Sequence, residues 1–155
     1  MYIILHTTSS TRYAMNRTPL ARRTQIINCL VEGNSIRSTE RMTNTNRDTI
    51  MRLMVEVGNG CTKLHNEQMR NLSCRRIQCD EIWSYVKIKQ ANIAKGTPRT
   101  RIGDQWTFVA VDPDTKLVPS YLVGKRTREN AMDFMFDLSG RLSNRVQISL
   151  DALRS

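Results

Sequence analysis

The chain has 155 residues and a formal net charge of +10, from 24 Lys and Arg against 14 Asp and Glu. That length admits one ordinary domain, or a small module joined to part of a larger one. Hydrophobic residues make up 39%, enough for a core, and no apolar run nears the ~20 residues of a membrane span, which argues against a membrane protein.

The positive balance points to a polyanionic partner, with nucleic acid first, a plain basic surface being the alternative. Tyr2–Leu5 is too short for a secretory core and no basic residue precedes it, so the chain is expected in the cytoplasm. Cys29, Cys61, Cys74 and Cys79 form no CxxC pair and read as buried or idle thiols of a reducing compartment. Cys61, His65, Cys74 and Cys79 can be drawn as a zinc site, but their spacing matches no common ligand pattern. His6 is the other histidine, and no Ser/His/Asp or Cys/His catalytic grouping stands out.

Residues 1–21 lack periodicity and carry the Ser/Thr run Thr7–Thr11, as expected of a terminal extension, with Met15 as a candidate start of the ordered chain. From 22 to 57 the pattern is helical. Ile26, Ile27, Leu30 and Val31 share a face and Gly33 stops the helix. Ser35 caps a short helix over 36–42, with Ile36 and Met42 as its apolar contacts. Thr45, set against Asp48 in a capping-box-like arrangement, opens a third helix. Its inward set is Ile50, Leu53, Met54 and Val57, which leaves Asn46, Arg47, Thr49 and Arg52 outward. Three short helices with a tight turn between the last two predict a helix-turn-helix whose third helix can enter a major groove. A small bundle that merely packs is the alternative.

Gly58-Asn59-Gly60 is expected to end that helix. A further helical connector over 58–74 then carries the stripe Cys61, Leu64, His65, Gln68, Met69 and Leu72, read as packing. The segment 75–155 changes character. Arg75–Ile88 is rich in β-branched and aromatic residues and free of Gly and Pro, so it predicts a strand. Residues 89–103 form a basic connection, and 106–111 a second strand. Asp112-Pro113-Asp114-Thr115 is a turn, in which both aspartates read as turn formers. A third strand over 116–123 is disturbed by Pro119. The amphipathic run 129–142 is a helix facing inward through Ala131, Met132, Met135, Phe136, Leu138 and Leu142. Val146–Leu150 is a fourth strand, ending at Asp151.

Asp80 lies inside the first strand, where a carboxylate needs a cation, a donor or a metal unless the strand is an edge in water. Asp151 stands in a similar setting. Three antiparallel strands, a helix and a fourth strand predict a mixed α/β layer, with the fourth strand parallel to the first. That order selects Asp80 and Asp151 as converging carboxylates suited to a hard divalent ion. Glu81, on the other face of the strand, is a poor substitute.

The opening Pro-Leu-Ala-Arg-Arg-Thr-Gln-Ile at 19–26 and Leu-Val-Glu-Gly-Asn-Ser at 30–35 resemble bacterial insertion-sequence transposases of the first-described insertion element type. So do Arg-Arg-Ile-Gln-Cys-Asp-Glu-Ile-Trp-Ser at 75–84, Asp-Thr-Lys-Leu-Val-Pro-Ser at 114–120, and the run 144–151. The likeness extends over Met15–Ser155, and Cys-Asp-Glu-Ile-Trp-Ser is its most telling piece. It implies an RNase H-like fold, here an incomplete one behind the helix-turn-helix, with an Asp-Asp-Glu triad holding divalent metal. By that resemblance Asp80 is the first acid, Asp151 the second, and Mg²⁺ or Mn²⁺ the cofactor. The partners it implies are double-stranded DNA (element terminal repeats and target) and another copy or a full-length transposase. The setting it implies is bacterial, at the nucleoid.

Two departures stand out. The family carries Thr-Asp-Gly around the second acid, where this chain has Leu150-Asp151-Ala152, and the third acid is expected beyond residue 155. The polypeptide is therefore expected not to transpose alone. Its sheet is expected to have an open edge and uncovered apolar faces, which favours aggregation. A non-catalytic helix-turn-helix protein that binds or blocks the element ends is the other reading. An RNA-binding module is disfavoured, because no exposed aromatic platform is evident from the sequence.

Overall fold

The computed structural model describes residues 17–96 and 102–150, which divide into two compact units, up to Lys63 and from Leu64 onward. The expected extension lies outside them as far as residue 16.

In the first unit, α1 (Leu20–Val31), α2 (Ile36–Thr43) and the first part of α3 (Arg47–Gln68) surround a small core. Ile26 and Ile50 are fully buried and Leu53 nearly so, with Ile27, Leu30, Ile36 and Val57 against them. Gly33, at φ +80°, ends α1 in a conformation that disfavours a β-carbon. Ser35 caps α2 by accepting a hydrogen bond from the Ser38 amide at 3.1 Å. Asn44 closes α2 in the left-handed region.

Three local expectations are corrected. The cap of α3 is Asn46, whose Oδ1 accepts from the Asp48 amide at 2.8 Å, while the Thr45 hydroxyl donates to the Thr43 carbonyl. Met54 is 41% exposed, one position off the buried stripe. Finally, α3 runs unbroken through Gly58-Asn59-Gly60 and stops at Gln68. Each helical glycine costs about 1 kcal/mol against alanine, which interior hydrogen bonds on both sides can offset. The chain leaves the helix before Leu72, which instead forms a β-bridge with Leu142.

Buried Thr39 and Thr43 complete the first core. The Thr43 hydroxyl donates to the Thr39 carbonyl at 2.7 Å, whereas Thr39 Oγ1 is buried without a hydrogen-bond partner among the described residues. Thr39→Val keeps the shape and removes the unsatisfied hydroxyl. It should therefore stabilise the unit by about 1 kcal/mol, read as a higher urea midpoint at unchanged slope.

The second unit is a mixed α/β layer. Its strands are β1 (Arg76–Val86), β2 (Gly103–Val111), β3 (Ser120–Gly124) and β4 (Gln147–Leu150), in the spatial order β3-β2-β1-β4. The first three are antiparallel and β4 is parallel to β1, as the chain order predicts for a mixed layer. β3 is shorter than expected. Lys116, at φ +65°, and Pro119 keep the preceding residues out of the ladder. β2 starts earlier, at Gly103, whose φ of +86° would strain any other residue and whose missing β-carbon makes room for Gln90 and Ile93.

Helix α4 (Arg128–Ser139) covers one sheet face. Phe134 and Leu138 are its buried side chains, packed with Cys74, Ile77, Cys79, Phe108 and Ala110. Phe136 and Met132, both expected inward, are instead 82% and 60% exposed. Phe134 packs on Phe108, which turns Phe136, two residues further along the helix, away from the sheet. Burial pushes the Cys74 and Cys79 thiols above their ordinary range, with Asp112 adding to the effect at Cys74, so both are inert core residues. All four cysteines are free, and no group of three His, Cys, Asp or Glu able to hold a metal occurs among the described residues. The drawn zinc site is absent there.

Candidate functional site

Strand alternation sends Ile77, Cys79 and Glu81 to the face under α4, and Gln78, Asp80 and Ile82 to the other. Asp80 is exposed there, opposite Val109 of β2, which in turn faces Tyr121 of β3. Its Oδ1 accepts from the Glu81 amide at 2.7 Å. The β1/β4 ladder pairs Arg76 with Gln147, Ile77 with Ile148, Gln78 with Ser149 and Cys79 with Leu150. Leu150 is the last described residue of β4, and Asp151 lies outside the described residues.

Glu81 occupies the opposite face. Its Oε2 accepts from Arg126 Nε at 2.7 Å, so its charge is committed to that pair. Asp80 thus offers hard oxygen donors on an open face, a donor type that fits a divalent ion. Among the described residues no group of three His, Cys, Asp or Glu able to hold a metal forms around it.

Asp112 and Asp114 behave as turn residues. Asp112 is buried, and its Oδ1 accepts from the Asp114 amide while its Oδ2 accepts from the Thr115 hydroxyl. Those bonds hold its carboxyl below the ordinary range, led by the Asp114 amide. Asp114 pairs with Arg76 at 2.7 Å.

On the first unit, the four outward residues gather at the start of α3. Asn46 serves as the cap, and Arg47 shares Glu40 through its side chain at 3.2 Å and its amide at 3.3 Å. Arg52 donates to the Asp48 carbonyl and to the Thr49 hydroxyl, both of which keep it along the helix. Arg47 and Arg52 are exposed, and Thr49 is half-buried. Arg37 lines a shallow hollow with Ile36, Arg47, Asp48 and Met51, a neighbour that sequence reading did not single out. Arg17 and Arg23 both pair with Glu56, at 2.6 and 2.7 Å. The Arg17 hydrogen bond leads in holding the Glu56 carboxyl below its ordinary range. Arg23 ties α1 to α3, and Arg17 ties the stretch before α1 to the same helix. Arg22 donates to the Thr43 carbonyl at the end of α2.

No protein-family model matches the chain, and no curated protein does. Solved structures do. The chain is similar to the Mos1 strand transfer complex at 16% identity and a TM-score of 0.34, over 89% of this chain and 53% of that one. It is also similar to the Mos1 transposase paired-end complex with left transposon end, at 15% identity and a TM-score of 0.24, over 79% and 49%. This chain spans about half the length of each. Among the described residues no helix is long and apolar enough to cross a membrane.

Proposed function

We propose that the chain is a transposase polypeptide of the insertion-sequence kind. Its sheet would carry the first two metal-binding acids, and its three-helix unit would act as a helix-turn-helix that reads element ends. The observation that carries this is the ladder between parallel strands β1 and β4. Its last described pair is Cys79 with Leu150, and Asp80 and Asp151 are the residues that follow these two in sequence. The sequence resemblance supplies the reaction class: metal-dependent cleavage and strand transfer of DNA. Asp80 and Asp151 would hold Mg²⁺ or Mn²⁺, which would supply Lewis-acid polarisation of the phosphodiester. Asn46, Arg47, Thr49 and Arg52 would face the terminal repeats, with the two arginines making phosphate or guanine contacts. A second copy or a full-length transposase, together with target DNA, would complete the assembly.

A non-catalytic DNA-binding role is favoured by one observation: the candidate DNA residues lie in one compact unit, and Asp80 in another. One set of variants tests both readings. Arg47→Ala and Arg52→Ala should each weaken binding to a labelled duplex of the element ends by about 1–3 kcal/mol where a base contact is lost. Asp80→Asn should leave that binding unchanged and abolish Mn²⁺-dependent broadening of the backbone amides around residue 80. If Mn²⁺ broadens nothing there in the unmodified chain, the catalytic reading fails and the binding role remains. If the arginine variants bind as tightly as the unmodified chain, the helix-turn-helix reading fails.

A further inference from the structure

The sheet extends past the cover of α4 into an aromatic surface that the catalytic and helix-turn-helix readings do not use. Trp83 of β1 stands directly opposite Trp106 of β2, so the two indoles share one face. Tyr85, two residues on along the same face, packs against Trp83 with ring centroids 5.7 Å apart. Trp83 and Tyr85 remain 41% and 49% exposed, an unusual amount of open aromatic surface for neighbouring positions of a paired strand. Cations border it. Lys89 Nζ lies 5.3 Å from the Trp83 ring centre, and the Arg126 guanidinium lies 4.9 Å from that of Trp106. Lys87, also exposed, follows the strand directly. The acids nearby are engaged: Glu81 with Arg126, and Asp104 with the Gln90 amide at 2.9 Å.

We infer that Trp83, Tyr85 and Lys89 form a stacking platform for unpaired bases of single-stranded DNA. Flat aromatic faces take any base, and bordering cations take the phosphates between bases. A duplex hides its base faces and offers such a surface only its backbone. The choice of DNA over RNA rests on the proposed function, since the single strand that such a protein meets is a frayed or cut DNA end. The platform corrects the expectation that no exposed aromatic surface exists. Trp83 and Trp106 are 23 positions apart in sequence, and only the β1/β2 register brings them together.

Both tryptophans of the chain belong to this surface, so intrinsic fluorescence reports on it directly. A thymidylate oligomer of about eight nucleotides, within the usual single-strand site size, should quench that fluorescence. An abasic oligomer of equal length should not. By anisotropy of the labelled oligomer, Trp83→Leu should weaken binding about tenfold, as loss of one stacked base predicts, whereas Trp83→Phe should retain most of it. Lys89→Ala should weaken binding less and flatten its salt dependence. Far-UV circular dichroism checks that each variant folds. Should Trp83→Leu fail to fold, the abasic comparison and Lys89→Ala still decide.

Equal quenching by the abasic oligomer would overturn the inference, as would unchanged binding by folded Trp83→Leu. A uridylate oligomer that quenches where thymidylate does not would also overturn it, in favour of RNA. Duplex-end binding, measured in the same variants, depends on Arg47 and Arg52. Undiminished duplex binding by Arg47→Ala and Arg52→Ala would count against the helix-turn-helix reading alone, and duplex binding is expected to survive in Trp83→Leu.

Discussion

Arg141→Met should lower the unfolding free energy of the sheet unit by about 3 kcal/mol in urea titrations at neutral pH, the cost of stranding one partner of a buried pair. Arg141 follows α4, its side chain is 5% exposed, and it spends its guanidinium donors inside the unit. Nε donates to Asp137 Oδ2 at 2.7 Å, Nη2 to Asn66 Oδ1 at 2.6 Å, and Nη1 to His65 Nδ1 at 3.3 Å. A guanidinium accepts nothing, so His65 Nδ1 is the acceptor and Nε2–H donates to the Val118 carbonyl at 2.8 Å. Ser120 adds a hydroxyl bond to the same Asp137 oxygen at 2.5 Å. Methionine would fill much of the volume but leave Asn66 and His65 without this donor and Asp137 with the Ser120 hydroxyl alone. Since Asp137 is 37% exposed, water can recover part of its loss, and the estimate stays at the low end. The double variant Arg141→Met with Asp137→Asn should recover part of the stability, because it removes both charges.

The same pair fixes an acid limb. Burial pushes the Asp137 carboxyl up, but hydrogen bonds from Arg141 and Ser120, with the Arg141 charge, outweigh it and hold the group below its ordinary 3.8. A carboxyl lowered on folding contributes stability above its unfolded value, and that contribution is lost as pH falls through the folded one. The unmodified chain and Arg141→Met should therefore differ most at neutral pH and converge below about pH 4. Parallel curves down to strong acid would show that Asp137 does not depend on Arg141.

Sequence reading found the sheet because its cues are local. The β-branched and aromatic run of β1, the Asp112-Pro113 turn and the helix ahead of β4 point to strand order and direction without any knowledge of packing. Contacts closed by the fold were out of reach. Nothing near Arg141 in sequence names Asn66 or His65, 75 and 76 positions away, as its acceptors. Helix phase was misjudged by small margins with large effects. In α4 the apolar run Phe134-Met135-Phe136 allows either aromatic inward, and packing against Phe108 selects Phe134. In α3 the glycine pair looked like punctuation, but helical hydrogen bonds on both sides outweigh two propensity penalties. Of the candidate acids, Asp80 stands where the alternation put it, on the face away from Glu81.

Phe108→Ala should cost the sheet unit about 3–5 kcal/mol and leave the three-helix unit intact. Phe108 is 4% exposed at the centre of β2, between Glu81 and Leu122 in register, with the Phe134 ring centroid 5.9 Å away. Its removal opens a void between sheet and α4 that short, paired strands cannot close, so the cost includes the cavity as well as the lost transfer energy. The three-helix core is built from Ile26, Ile50 and Leu53, and none of these belongs to the Phe108 cluster. Hydrogen exchange should therefore show faster opening at Ile77, Phe108 and Ala110 with unchanged protection at Ile26 and Ile50. The proposed duplex binding through Arg47 and Arg52 should persist in Phe108→Ala at temperatures where the sheet has melted. Ile50→Ala should reverse the pattern, losing duplex binding while the sheet stays protected. If either substitution loosens both cores equally, the chain unfolds as one cooperative body, and DNA recognition depends on an intact sheet.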